Sequence, residues 1–388
     1  MAGDALSGAE RRLLKLGPYA VTFEAPLSVA LNAVDAWRLI LFGIPRAAGL
    51  TSSGIAEGVL RRNAGAVLYA GEGHFRFMWV SDFGKSLRGA WDVLGDEYLS
   101  GQIDFMTRES ARLGHVTSCF TRFHGFDMPW PRGDSLPWLI FAHGERRRRT
   151  GVRPDAENRA ILQKLFDEYE TTHFADGLIS MEITGDWADT VRRPSSTYNN
   201  VCALMALREA PSLGLKTRHD PEEFSRRLRT DRWRGDHFRD HAATEALSVD
   251  SAVLALYLGL FDRSILSAAA DRVLAERLEH PWPIRCAAVP HDGATVPLLT
   301  RLVAGYHRAA WLHLGAMWLN GLRGLGRDVS DGRGRIEGLI ERHGQVLEAV
   351  NDDGSPYRSF VLGCERGLTM AAGQYLELIG PVPSSVRP

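Results

Sequence analysis

The 388-residue chain is 45% hydrophobic and 24% charged, which suits a folded protein with a large apolar core and argues against disorder. Its 46 basic and 47 acidic residues leave a formal net charge of −1, so no overall field gathers phosphate polymers, and a small neutral partner is expected rather than nucleic acid. Four cysteines, Cys119, Cys202, Cys286 and Cys364, lie far apart with no CxxC or Cys/His spacing, so they read as reduced, buried thiols and not as a zinc site.

In chain order, the N-terminal MAGDALSGAERRLLKLG is charged and has no apolar run of the signal-peptide kind, and no long uninterrupted apolar stretch follows. A cytoplasmic protein without membrane contact is expected. No break in composition marks a boundary, so one domain is expected over residues 1–388, its first turns read as an extension. Apolar residues at i, i+3, i+4 and i+7 predict helices over residues 27–43, 159–172, 248–262, 268–279, 301–326 and 333–350. The run Arg146 to Arg149 reads as a solvated loop, and the mixed-charge stretch from His219 to His241 as a polar loop or exposed helix. Sustained period-two strands are scarce.

Between the helical runs lie connections rich in Gly, Pro, Asp and Trp: GEGHFRFMWVSDFG, FHGFDMPWPRGDSLPW, ITGDWADTVRRPSSTYNN, VPHDGATVP and NDDGSPYRS. A helical chain whose polar chemistry sits on such connections fits a ring of helical hairpins with loops converging at one end. Three carboxylates, Glu182, Asp186 and Asp189, surround Trp187 just before a helical run; buried beside an indole they would have the tuned pKa of a general acid, although an Asp near a helix start is also an ordinary cap. Glu348 falls at the end of the last predicted amphipathic helix, ahead of an Asn-Asp-Asp-Gly turn, where a solvated acid is the plainer account. Trp79 with Asp82, and Trp130 and Trp138 with Asp134, pair indoles that stack on sugar faces with carboxylates that accept hydroxyl hydrogen bonds.

These blocks, in this order, resemble the six-hairpin glycosidase superfamily. Within it they are most similar to the amylo-α-1,6-glucosidase-like proteins and to the glycoside hydrolase family 63 group that includes mannosylglycerate and glucosylglycerate hydrolases. FMWVSDFG resembles a W-x-R-D-x block lining the −1 sugar site, with Ser81 where the pattern has Arg, and GDSLPW resembles the next substrate-binding block. GDWADTVRR resembles the block of the general acid, an Asp followed by a basic residue, which selects Asp189 with Arg192 and leaves Asp186 as runner-up. YHRAAWLHLGAMWLNGL resembles a Y-W-R-G-P-x-W block, one residue shorter and with His307 for Trp, and EAVNDDGSPYRS with GLTMAAGQYLEL resembles the E-x-x-N-x-x-x-G block of the general base and the closing helix.

The resemblance implies an all-α (α/α)6 toroid and an inverting α-glycoside hydrolase acting on a small α-glucoside or α-mannoside such as a glycosylglycerate or a short α-1,6-linked oligosaccharide; some related hydrolases carry calcium, but no cofactor or metal is expected here. Asp189 would be the acid and Glu348 the base. Trp79, Asp82, Phe83, Asp134, Trp138, Trp187, Arg192, Tyr306, Arg308, Trp311 and Asn351 would bind substrate, with Tyr198 and His307 on the aglycone side. No D-x-D-x-D-G calcium loop is present. Two alternatives stay open: a sugar epimerase or isomerase using a pair among His124, His143, His173, His291, His307 and His313, and an inactive sugar-binding relative. Homo-oligomerisation also stays open.

Overall fold

The computed structural model describes residues 34, 37, 49–73, 75–121, 125–126, 133–180, 186–188, 193–289, 308–358 and 363–381. Among them lie twelve α-helices and three small antiparallel sheets. The helices are α1 (Ser52–Asn63), α2 (Val80–Leu94), α3 (Asp96–Leu113), α4 (Ser135–Thr150), α5 (Ala156–His173), α6 (Thr197–Glu209), α7 (Pro221–Arg232), α8 (Val249–Leu258), α9 (Arg263–Ala275), α10 (Leu312–Gly324), α11 (Ser330–His343) and α12 (Thr369–Ile379). The even-numbered helices pack in sequence, α2 on α4, α4 on α6, and so on to α12, which returns to α2 and closes a ring. The odd-numbered helices lie outside it, so the chain forms six hairpins and the expected (α/α)6 toroid.

Burial follows directly from this layering. In inner helices α8 and α10, nine of ten and eleven of thirteen residues are buried, whereas outer helices α5 and α7 bury six of eighteen and four of twelve. An inner helix meets protein on every side and must be apolar all round; an outer one needs a single apolar stripe. Where α2 and α12 cross, glycine allows the approach: a Cβ on Gly89 would overlap the carbonyl oxygen of Gly373, and one on Gly373 would overlap the backbone of Ser86.

The two ends of the ring differ. Connections that leave an inner helix are short and turn on left-handed glycines, for example Gly95, Gly151 and Gly259, with φ of 82°, 75° and 63°. Connections that enter one are long and hold all the described strands: β1 (Met78–Trp79), β2 (Cys119–Phe120), β3 (Gly125–Phe126), β4 (Phe174–Ala175), β5 (Leu178–Ile179), β6 (Ala310–Trp311) and β7 (Ala349–Val350). Because inner and outer helices alternate, all six inner helices begin at this second end. At the first, a buried charged network crosses the ring: Arg88 of α2 donates to Glu145 of α4 at 2.7 Å and pairs with Glu377 of α12 at 3.5 Å, while Tyr257 of α8 donates to Glu377 at 2.6 Å. The toroid is plugged at its back and built up with loops at its mouth.

Several local expectations are revised. Arg146 to Arg149 form the last turn of α4, not a loop: cations there complement the helix dipole, and Arg146 is buried, donating to Asp104 at 2.7 Å. Among the described residues of the predicted helix 301–326, helix begins only at Leu312, since Ala310 and Trp311 pair with β7. Likewise α11 ends at His343, so Glu348 lies in a strand-edge connection and not on a helix. The stretch from His219 to His241 holds the exposed outer helix α7, and the predicted helix 27–43 falls almost wholly outside the described residues. All four cysteines are buried, and none is in a disulfide. No described helix is long and apolar enough to cross a membrane.

The α2–α12 crossing gives the first prediction: Gly89→Ala should destabilise the fold by about 1–3 kcal/mol, because backbone and not a pliable side chain occupies the space. Urea unfolding measures it; an unchanged midpoint would show that the two helices can separate freely.

Candidate functional site

The mouth is organised around one buried guanidinium. Arg193, in the connection entering α6, donates to Asp186 at 2.7 Å, Asp240 at 2.9 Å and Asp250 at 2.8 Å. All four side chains are at most 6% exposed. Burial opposes the guanidinium's charge, but Asp186, Asp250 and Asp240 together hold its pKa well above the ordinary value. The surplus negative charge is spread over further donors: Ala188 N–H to Asp186 at 2.9 Å, Ser251 N–H to Asp250 at 2.8 Å, and the Ser248 hydroxyl to Asp250 at 2.9 Å. Asp250 also sits in the first turn of α8, where the helix dipole favours an anion.

Through Asp250 the cluster sets an indole. Trp187 donates its Nε1–H to Asp250 at 2.8 Å and stands edge-on to Trp311, with centroids 4.9 Å apart, and to His313 at 5.6 Å. Trp311 lies in β6 opposite Ala349 of β7, and the next amide, Leu312 N–H, donates to the carbonyl of Glu348 at 3.0 Å. The two carboxylate-bearing segments singled out in the sequence, around Asp186 and around Glu348, are therefore joined by one aromatic contact.

Glu348 is 2% exposed, and its Oε2 accepts from Glu365 N–H at 2.9 Å, which orients the carboxylate. Glu365, which sequence reasoning missed, accepts three backbone amides, from Gly73 at 2.6 Å, Phe75 at 2.9 Å and Arg366 at 3.1 Å, and so ties the loop before β1 to the loop before α12. Asn351 folds its own turn, donating to the Ser355 hydroxyl at 3.0 Å. Beside it, Arg285, Arg308, Asn351, Asp352 and Tyr357 line a cavity of about 500 Å³, with Arg285 paired to Asp352 at 2.8 Å.

The remaining expected residues divide by depth. Asp82 lies in the first turn of α2 beside Ser81, and Asp134 is the fully buried residue preceding α4. Phe83 is core, and Trp79 packs edge-on to Phe75 at 6.3 Å. Trp138 donates to the Tyr198 hydroxyl at 3.4 Å, and both are buried inside the ring. Lys85, one helical turn below Ser81 on the same face of α2, joins them; nothing in its Lys-Ser context distinguishes it from a solvated lysine. Asp189, Arg192, Tyr306, His307, Glu182, Trp130, His124 and His291 lie outside the described residues.

Asp186, the runner-up acid, has both oxygens committed, Oδ1 to Ala188 N–H and Oδ2 to Arg193. It helps to hold Arg193, which also binds the Asp250 that orients Trp187. The histidines of the epimerase alternative are also accounted for locally. In His143, Nδ1 faces Arg146, which can only donate, at 3.1 Å, so Nδ1 accepts and Nε2 carries the proton toward the Thr107 hydroxyl at 2.9 Å. Burial and then Arg146 lower its pKa to about 3. His173 packs on Tyr169 at 4.8 Å at the end of α5. It sits at the base of the β4–β5 connection, whereas His313 stands edge-on to Trp187 and Trp311.

No family model matches this chain, and no curated protein matches it. Among solved structures it is similar to a glycosidase, with 15% identity over 87% of this chain and 97% of that one and a TM-score of 0.65. A substituted glycosidase in complex with glucose shows 15% identity over 84% and 95%, with a TM-score of 0.60. A glycoside hydrolase family 63 mannosylglycerate hydrolase from Thermus thermophilus, in complex with Tris, shows 14% identity over 84% and 98%, with a TM-score of 0.56. The chain has the fold of the (α/α)6 glycosidases over nearly its whole length, in agreement with the resemblance carried by its motifs.

Two predictions follow from the buried charges. Arg193→Met should cost about 3–5 kcal/mol, because it strands three buried carboxylates; a loss below 1 kcal/mol in urea unfolding would deny the cluster its anchoring role. For His143, the folded state resists protonation that the unfolded chain accepts near pH 6.5. Stability should therefore fall as pH drops from about 6.5 toward 3, by up to about 1.4 kcal/mol per pH unit for this proton. His143→Gln should flatten that slope between pH 6 and pH 4, and parallel curves for the two proteins would contradict the assignment.

Proposed function

We propose that this protein is an inverting α-glycoside hydrolase acting on a small α-glucoside or α-mannoside. The observation that carries this reading is the Trp187–Trp311 contact at 4.9 Å, which brings the acid-rich segment around Asp186 to the strand that presents Glu348. Asp186 is engaged by Arg193, which leaves Asp189, three residues further along, as the acid of this segment. Asp189 would protonate the glycosidic oxygen as the bond to the anomeric carbon breaks. Glu348, oriented by Glu365 N–H, would take a proton from the water that attacks the opposite face, giving a product of inverted configuration. An inverting pair needs its carboxyl groups roughly 6.5–9.5 Å apart to admit that water.

The cavity beside Asn351 suits the leaving group. Arg308 is exposed on its rim, and Arg285 is held by Asp352, so a carboxylate-bearing aglycone would find guanidinium donors there. A glycosylglycerate fits that chemistry, as does the substrate named for the similar Thermus thermophilus hydrolase.

Glucosyl and mannosyl glycerates, isomaltose, panose, trehalose, kojibiose and nigerose form the test panel, with release followed by proton NMR. The β-anomer should appear first from an α-glycoside; α-anomer as the first product would exclude inversion, and interconversion of free glucose and mannose would move the protein to the epimerases. Glu348→Gln should leave the fold intact and lower kcat by about 10²–10⁴-fold. Full activity in that variant would remove Glu348 from the mechanism.

A further inference from the structure

Lys85 is 1% exposed in the middle of α2, and its ammonium makes no hydrogen bond. Three aromatic rings surround it, those of Trp138 at 5.8 Å, Tyr198 at 5.8 Å and Trp187 at 6.0 Å. Their faces stabilise a cation but leave its three N–H donors unused. A buried charge with unmade hydrogen bonds is costly, so a side chain kept in this state is poised for a ligand. His313, the second residue of α10, is likewise fully buried with neither ring nitrogen bonded. Burial and the neighbouring Lys85 keep it neutral, so it offers one donor and one acceptor. Both residues touch the same indole, Trp187.

We propose that Lys85 and His313 form the polar floor of a blind sugar pocket and bind hydroxyl groups on the far edge of a neutral, terminal glycosyl unit. His313 lies at the start of α10 and Lys85 one helical turn below Ser81 in α2, and the Arg88–Glu145–Glu377 network closes the ring behind them. A pyranose entering from the mouth would meet aromatic faces at its sides and the floor at its tip. A hydroxyl accepts from the ammonium while donating to the imidazole, which an anionic group cannot do. The surrounding charge agrees: Asp186, Asp240 and Asp250 outnumber Arg193, and Asp134 acts on the same Cys202 thiol as Lys85, so a further anion is disfavoured and a neutral sugar is not. A floor closed behind one sugar admits only an end unit, which specifies the substrate class of the proposed hydrolase and rests on that reading for the reaction alone.

The test reads binding, not turnover. Glucose, mannose and their 3-, 4- and 6-deoxy analogues are titrated by calorimetry into the wild type and Lys85→Met. The variant should bind the parent sugar at least tenfold more weakly, and one deoxy sugar, already weak in the wild type, should lose nothing further, since the missing hydroxyl is the one Lys85 contacts. Without sugar, Lys85→Met should melt at or above the wild-type temperature, an outcome a structural lysine would not give. If the methionine variant does not fold, Lys85→Gln, which keeps a donor, serves in the same cycle. Equal affinities in both proteins, an equal loss across all the deoxy sugars, or no sugar binding by the wild type would overturn the proposal. A wild type that binds sugar through Lys85 yet cleaves no glycoside would remove the hydrolase reading and leave this site standing.

Discussion

Everything at the mouth of the ring depends on the pairing of one arginine with three aspartates. The three partners of Arg193 come from three places, the 186–188 segment, the connection before α8 and the first turn of α8 itself, so a single guanidinium ties together the connections entering α6 and α8. A surface ion pair of this kind would contribute little. Here the charges are desolvated, so removing one partner strands the rest, and the geometry is held far more tightly than any loop backbone would hold it. The indole of Trp187, and through it Trp311 and the strand beside Glu348, takes its position from that cluster.

The alternation of helices supplies the other constraint. Six inner helices that start at one end bring six sets of unpaired backbone N–H groups and six positive dipole ends to the mouth. Asp82, Asp134 and Asp250 sit at the starts of α2, α4 and α8, where that field offsets part of the cost of burying a carboxylate. At the opposite end the dipoles are negative, and the network there is centred on arginines, with Arg88 between Glu145 and Glu377 and Arg148 beside Glu145 and Glu209. The aspartates at the helix starts are thus placed as the helix order favours, and at the back the arginines offset both the negative dipole ends and the buried glutamates.

This explains what could be read in the sequence. Helices α5, α8, α9 and α11 have clear apolar periodicity, and the order of the Trp-Asp blocks matched a known fold. Pairing across the ring was not legible. Trp311 continues a helical pattern, yet it forms a strand because Ala349 lies opposite, and no local feature of either segment announces that partner. Glu348 was misplaced on a helix for the same reason. Asp240 falls in the mixed-charge stretch from His219 to His241 and Asp250 in a helical run, and nothing local marks either until Arg193 is seen between them. Arg146 read as solvated because a run of four arginines usually is; Arg148 and Arg149 are exposed, whereas Arg146 turns toward α3 and is buried against Asp104.

Lys85 shows why a departure from a motif has to be judged in three dimensions. Along the chain, Ser81 removes a cation from the W-x-R-D-x block, and that loss, taken alone, argues against sugar binding. On the helix, positions four apart lie one above the other, so the Nζ of Lys85 lies below Ser81 on the inner face of α2, among Trp138, Tyr198 and Trp187. The positive charge has moved about 6 Å along the axis, one helical turn, toward the floor. In the proposed pocket, a cation at the floor would address different atoms of the sugar from a cation at the rim, so the exchange would retune which hydroxyls are recognised without requiring that recognition be lost.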